Sequence, residues 1–216
     1  MRLLIVHAHE NSDSFSSSLC KETKSKFESK GHQVNISDLY AIGFDPVASK
    51  HDFKHDTTQG YYKYAFQQLA AVKEGTFSHD IKTEMDKLVE ADMLNFNFPL
   101  WWFGVPAILK GWIDRVLAYG FAYGGEYGMG ETGRFKGKKA FITVTTISPE
   151  EVYKASGRNK RTVNDILTNI HQGVFELIGF EAIAPFVAYG VSRSAEEDRK
   201  LILSQHSDYL EQFCFD

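Results

Sequence analysis

The feature that most constrains this chain is an uninterrupted apolar run, Leu3-Leu4-Ile5-Val6, followed at once by small polar residues and then by helical spacing. A run apolar at every position is the pattern of a strand covered on both faces, as in a parallel sheet. The residues Phe15, Leu19, Thr23 and Phe27 share one helical stripe, and Gly31 stands where a helix C-terminus favours glycine. Residues 33–37 read as a second strand, completing a βαβ unit.

The alternation continues. Residues 38–58 form a long connection containing Pro46. Helices are predicted over 61–72 and 79–90, a strand over 93–98, and a helix over 105–118 with Pro106 in its first turn. Residues 120–137 are glycine-rich and read as loop. A fourth strand covers 139–145, a helix 162–178 ends at Gly179, a fifth strand covers 181–188, and a last helix runs from Ser194, its expected cap, to Phe213. The expected fold is one α/β domain over residues 1–216: a doubly wound, five-stranded parallel sheet in the order 2-1-3-4-5 with helices on both faces, the flavodoxin-like arrangement.

Charge and composition then narrow the function classes. A net charge of −4 gives no overall pull toward nucleic acid or anionic membrane. Cys20 and Cys214 are too few for a disulfide framework. The N-terminal apolar run breaks at His7, His9 and Glu10, so no signal peptide is expected, and no stretch reaches membrane-span length. The expectation is a cytoplasmic protein. His51, His55 and His79 show no metal-ligand spacing, and no metal is expected.

In such sheets ligands bind beyond the carboxyl ends of the strands, near the point where strand order reverses. Three loops qualify. The first, residues 8–18, carries five serines into a helix N-terminus and so offers hydroxyl and N–H donors to phosphate. It has no glycine, so neither a dinucleotide fingerprint nor a P-loop is present. Glu10 and Asp13 would have to point away from any phosphate bound there. The second loop, Pro99-Leu100-Trp101-Trp102-Phe103-Gly104, sets three aromatic rings between a strand and a helix. Loops face solvent, so the rings call for a flat ligand, packing over the sheet edge or a partner. The third is Thr145-Thr146-Ile147-Ser148-Pro149, a weaker signal with hydroxyls and N–H groups.

The block Asn97-Phe98-Pro99-Leu100-Trp101-Trp102-Phe103-Gly104-Val105-Pro106-Ala107-Ile108-Leu109-Lys110-Gly111-Trp112 resembles the NAD(P)H:quinone oxidoreductases, the DT-diaphorase family. The likeness extends to Ser37-Asp38-Leu39-Tyr40, Lys73-Glu74-Gly75, Phe121-Ala122-Tyr123 and Lys138-Lys139-Ala140. It implies a flavodoxin-like homodimer with active sites at the subunit interface and a flavin in each subunit, usually FAD, with FMN as the alternative. His9, Phe15 and Ser16 would hold its pyrophosphate and ribityl region. Pro99, Leu100, Trp101, Trp102, Phe103, Thr145, Thr146, Ile147 and Ser148 would surround its ring. Trp102, Phe103 and Tyr123 would form the substrate pocket, Tyr123 reaching into the partner's.

Tyr153 matches a tyrosine that assists hydride transfer, and the family's catalytic histidine falls on Asn159, which cannot take up a proton. Ile147 and Ser148 replace two family glycines, so the loop path or the flavin contact is expected to differ. The activity implied is ping-pong hydride transfer from NAD(P)H through the flavin to a quinone or similar acceptor. Two other readings are an ancillary flavoprotein partnering a membrane transporter and a one-electron carrier; the double indole and Tyr123 favour a substrate pocket over the latter.

Overall fold

The computed structural model describes residues 1–55, 61–154 and 156–213. Strands β1 (Arg2–His7), β2 (Gln33–Asp38), β3 (Met93–Pro99) and β4 (Lys139–Thr145) pair in parallel in the order β2-β1-β3-β4. The fifth position, beside β4, holds β5 (Glu181–Ala182) and β6 (Phe186–Ala188). The expected order is therefore present, with one refinement. The strand expected over 181–188 is two short pieces, because Pro185 between them has no N–H to give the ladder.

Strand alternation sorts the core into two layers. Leu3, Ile5, Met93 and Phe141 point to one face, where Cys20 and Phe27 of α1 (Phe15–Ser29) meet Leu210 of α6 (Glu196–Glu211) and Phe213. Leu4, Val6, Leu94, Phe96, Phe98, Ile142 and Val144 point to the other. That face is covered by α2 (Tyr64–Glu74), α3 (His79–Glu90), α4 (Ala107–Val116) and α5 (Val163–Ile170). Trp112 of α4 is fully buried there, its indole N–H donating 2.8 Å to the buried Glu84 carboxylate.

Helix ends follow local chemistry. The Ser14 hydroxyl caps α1 by accepting the Ser17 N–H, and Gly31 follows at φ +82°. The expected helix over 162–178 keeps its Thr162 cap and its end at Gly179, but residues His171–Glu176 loosen into a π-turn. Ser194 does not cap α6: its hydroxyl donates 3.1 Å to the Gly190 carbonyl. Ala195 takes the cap position, and Asp198 accepts its N–H at 3.1 Å. Pro106 likewise stands at the cap of α4 rather than in its first turn.

The connection after β2, whose residues 56–58 lie outside the described residues as does Cys214, is pinned by a buried ion pair. Arg115 reaches Asp52 at 2.9 Å and the Asp45 carbonyl at 2.6 Å, while the Tyr64 hydroxyl donates to Asp52 at 2.5 Å. The backbone of Pro46 crosses α4 at Gly111, where a Cβ would stand 2.2 Å from the Pro46 carbonyl oxygen. Only glycine admits that crossing.

Candidate functional site

On the α1 face the core turns polar toward the carboxyl ends of the strands. Asn95, Asn97, Thr143 and Thr145 are all buried there. The His7 Nδ1–H donates to Asn97 Oδ1 at 2.8 Å, and His7 Nε2 meets the Ser17 hydroxyl at 3.0 Å. Burial holds the His7 pKa below its ordinary value. Ser16 and Thr145 share a hydrogen bond of 2.7 Å that joins α1 to the end of β4. The bonds of His7 and Ser16 to other elements fix the start of α1 against the sheet, while the Asn95 Oδ1 and Asn97 Nδ2 atoms are buried without a partner among the described residues.

This polar column opens into a cleft of about 210 Å³ lined by His9, Ser16, Leu100, Trp101, Thr145 and Ile147, with residues of all three loops. Phe15, Pro99 and Thr146 of the expected set line it as well, whereas Trp102, Phe103 and Ser148 do not. Ser14, Val191 and Ser192 line it too and escaped the sequence reading. Ser14 was legible as the residue before the first helical apolar position. Val191 and Ser192 arrive only through the turn after β6, for which the sequence carries no signal.

Glu10 and Asp13 are exposed and do not line the cleft. The first turn of α1 holds no acidic residue, and its leading N–H groups lack intrahelical partners by helix geometry. Hydroxyls and N–H groups at a positive helix end form a donor set suited to phosphate. His9 accepts the Asn11 N–H through Nδ1 at 3.0 Å, and its ring stands 6.3 Å from that of Trp101. Partial burial lowers its pKa, which favours the neutral ring.

The second loop is a tight turn closed by mutual hydrogen bonds, Trp101 N–H to the Gly104 carbonyl at 3.1 Å and Gly104 N–H to the Trp101 carbonyl at 2.9 Å. Its two central residues, Trp102 at φ +50° and Phe103 at φ +59°, are both left-handed. A turn of this kind ordinarily takes Asn-Gly, and each bulky residue held there costs about 1–2 kcal/mol. The strain secures no packing: Trp102 is 98% exposed and Phe103 52%. Backbone strain spent on exposed aromatics marks a surface shaped for a ligand or partner.

The third loop is made differently. The Thr146 N–H donates to Ala188 at 2.9 Å, its hydroxyl donates to the Ser148 carbonyl at 2.7 Å, and Val191 N–H returns to the Thr146 carbonyl at 3.1 Å. The Thr146 donors are thus committed within the protein. Neither Ile147 nor Ser148 has a positive φ, so the loop path here makes no demand for glycine.

The remaining expected residues lie apart. Asn159 lines, with Phe103, a second cleft of about 680 Å³. Tyr153 is buried, its ring 5.9 Å from that of Tyr189, and it lines neither cleft. Tyr123 belongs to a third cavity, of about 420 Å³, with Tyr64, Ile113, Leu117, Val174 and Leu177. A single chain therefore does not bring Tyr123 to Trp102 and Phe103. Among the described residues no group of His, Cys, Asp and Glu side chains is placed to hold a metal ion, and no helix is long and apolar enough to cross a membrane.

Sheet order and a crevice at its carboxyl edge define a flavodoxin-like α/β protein, and the model of that fold family matches residues 1–213. NAD(P)H dehydrogenase [quinone] 1 of Cavia porcellus is 39% identical over 97% of this chain and 76% of its own length. Ribosyldihydronicotinamide dehydrogenase [quinone] of Mus musculus is 36% identical over 97% of this chain and 90% of its own. A solved Klebsiella pneumoniae protein assigned to the quinone reductases superposes with a TM-score of 0.94 at 34% identity, covering 99% of this chain and 85% of that one. The chain belongs to the NAD(P)H quinone oxidoreductase family within the flavodoxin-like fold, and it is an oxidoreductase of the NAD(P)H dehydrogenase (quinone) type. The transporter-partner and electron-carrier readings find no support among these relatives.

Proposed function

We propose that this protein binds a flavin across the cleft at the carboxyl ends of β1, β3 and β4 and uses it to pass two electrons from NAD(P)H to a quinone or similar acceptor. The observation that carries the reading is the convergence of three loops, distant in sequence, on one cleft whose walls hold a phosphate-type donor set and Trp101, the first residue of the strained aromatic turn. FAD is the flavin the sequence resemblance implies; a solved neighbour, the NADH-azoreductase of Bacillus anthracis, is a complex with FMN.

A bound flavin supplies the redox chemistry, accepting hydride from the reductant and giving it to the acceptor in alternating half-reactions. The protein supplies the rest. Ser16 and the first turn of α1 hold the phosphate end. Pro99, Leu100, Trp101, Thr145 and Ile147 border the ring. The N–H groups of Ile147 and Ser148 donate to no backbone group among the described residues and would suit negative charge on the ring. Trp102 and Phe103 stack the incoming substrate ring and exclude water. Asn159 can orient a substrate by hydrogen bonding and cannot act as a base, and Tyr153 lines neither cleft, so a proton moves through water.

The active unit is a homodimer. Val47, Tyr61 and Phe66 are exposed apolar side chains, and the cavity holding Tyr123 is lined mainly by apolar groups of α2, α4 and the π-turn. A second copy covering these groups would carry Tyr123 toward the neighbouring site. Acid release of the bound compound from purified protein, followed by chromatography, should yield FAD or FMN, and NADH or NADPH should bleach the holoprotein. Protein that stays colourless after incubation with either flavin refutes the reading.

A further inference from the structure

The second cleft, of about 680 Å³, joins the strained turn at Phe103 to the segment before α5, with Asn159, Arg161, Asp165, Ile166 and Thr168 on its walls. That segment reads Arg158-Asn159-Lys160-Arg161, three cations within four residues of a chain whose net charge is −4. All three cationic side chains are exposed. None of them forms an ion pair within 4.0 Å among the described residues, whereas Lys154 just before them is paired with Glu150 at 3.7 Å. The one carboxylate on the cleft wall, Asp165, is engaged mainly with the helix cap, accepting the Thr162 N–H at 2.9 Å and the Thr162 hydroxyl at 2.8 Å, with a lesser coulombic attraction to Arg161.

The backbone holds these cations in place. Asn159 N–H donates to the Val152 carbonyl and Lys160 N–H to the Gly157 carbonyl, each at 3.2 Å. Lys160 sits at φ +50°, a left-handed position where glycine or asparagine is the unstrained choice. A lysine kept at such a site, unpaired and beside a cleft, points to an anion supplied from outside the chain. The cleft sets Arg161 against Phe103, the proposed stacking surface for the substrate ring, and Arg158 and Lys160 flank the cleft residue Asn159 in sequence.

We propose that Arg158, Lys160 and Arg161 form an anion-binding rim that selects phosphate-bearing dihydronicotinamides, NADH and NADPH, over the uncharged ribosyl dihydronicotinamide as reductant. The inference rests on the dehydrogenase reading of the site. With the nicotinamide ring on Phe103, the reductant's phosphates lie toward Arg161. An anionic group on the acceptor is the other source of the same charge, and the experiment separates the two.

The test is steady-state kinetics of holoprotein with NADH and with ribosyl dihydronicotinamide, each against an uncharged naphthoquinone. The variant carries Arg158→Gln, Lys160→Gln and Arg161→Gln together, and Lys200→Gln on α6 serves as a distant single-charge control. The kcat/KM ratio of NADH to riboside should fall at least about tenfold in the triple variant, as expected for losing charge-assisted contacts, and should stay level in the control. Inorganic pyrophosphate should inhibit the unmodified enzyme competitively against NADH and lose potency in the variant. An unchanged donor ratio overturns the proposal. So does a loss confined to a sulfonated naphthoquinone at fixed NADH, which places the anion on the acceptor. Absence of turnover with either donor in the unmodified, flavin-loaded protein would instead break the dehydrogenase reading itself.

Discussion

The two walls of the cleft are built on opposite terms. The turn Trp101-Trp102-Phe103-Gly104 has two residues at positive φ, two mutual backbone hydrogen bonds and side chains turned to solvent. The loop Thr145-Thr146-Ile147-Ser148-Pro149 has ordinary backbone angles and is knitted to β6 and the following turn by bonds from Thr146, Gly190 and Val191. The first wall spends stability to present rings, and the second gains stability by enclosing its own donors. Only the first has a geometry that packing leaves unexplained, so ligand recognition should be concentrated there.

The largest effect should come from relaxing the strained turn. Trp102→Asn with Phe103→Gly installs the dipeptide such a turn prefers. Folding should be stabilised by about 1 kcal/mol in denaturant unfolding, since Trp102 makes no buried contact to lose. Quinone reduction should fall roughly 100-fold in kcat/KM through lost ring positioning. A variant that is both more stable and fully active would show that the rings serve nothing at the site.

Next is an acid-sensitive support under the second wall. His206 of α6 is fully buried against Phe186 of β6, ring centroids 4.6 Å apart, and neither ring nitrogen has a hydrogen-bond partner. Burial pushes its pKa down to about 3, against 6.5 when unfolded. Above pH 6.5 it is neutral in both states and stability is unaffected. Below that, the unfolded chain binds a proton the folded one refuses, and stability drains as pH falls toward 3. Between pH 7.5 and 5.0 the loss from this group should be about 2 kcal/mol. His206→Phe should remove that share of the pH dependence in urea unfolding; equal slopes for the two proteins would break the assignment.

Much of this architecture was legible in the sequence, and what escaped is instructive. Apolar runs placed the strands, because strands buried on both faces are apolar at nearly every position, as Leu3-Leu4-Ile5-Val6 is, and their alternation with helices implied the doubly wound order. The aromatic turn was legible because exposed rings are anomalous. Its left-handed backbone was not, since nothing in Trp-Trp-Phe-Gly encodes positive φ. The Ser194 cap failed because a hydroxyl chooses among nearby carbonyls and N–H groups, and Gly190 was the closer partner. Tyr123 and Phe103 belong to different cavities of one chain, a separation no linear pattern discloses.

A smaller effect should follow at the phosphate end of the first loop. Ser14→Ala removes the acceptor for the Ser17 N–H, 3.1 Å away, and a hydroxyl bond to Ser17 at 2.9 Å. Loss of the cap should destabilise the apoprotein by about 1 kcal/mol. The start of α1 also loses its anchor beside the phosphate site, so flavin retained after dialysis should drop. Unchanged retention would locate the phosphate elsewhere on the cleft.

The smallest effect on flavin binding should come from giving the second wall the two glycines the family resemblance leads one to expect. Ile147 is 63% exposed, and neither it nor Ser148 needs a left-handed backbone. Ile147→Gly with Ser148→Gly removes no core contact and relieves no strain. It only adds freedom to the unfolded chain, which should destabilise by about 0.5–1 kcal/mol per position. Flavin affinity, titrated by fluorescence quenching, should change less than it does in Ser14→Ala. A large gain would mean that the side chains of Ile147 and Ser148 hold the flavin ring off the backbone, and the second wall would then be as much a product of ligand demands as the first.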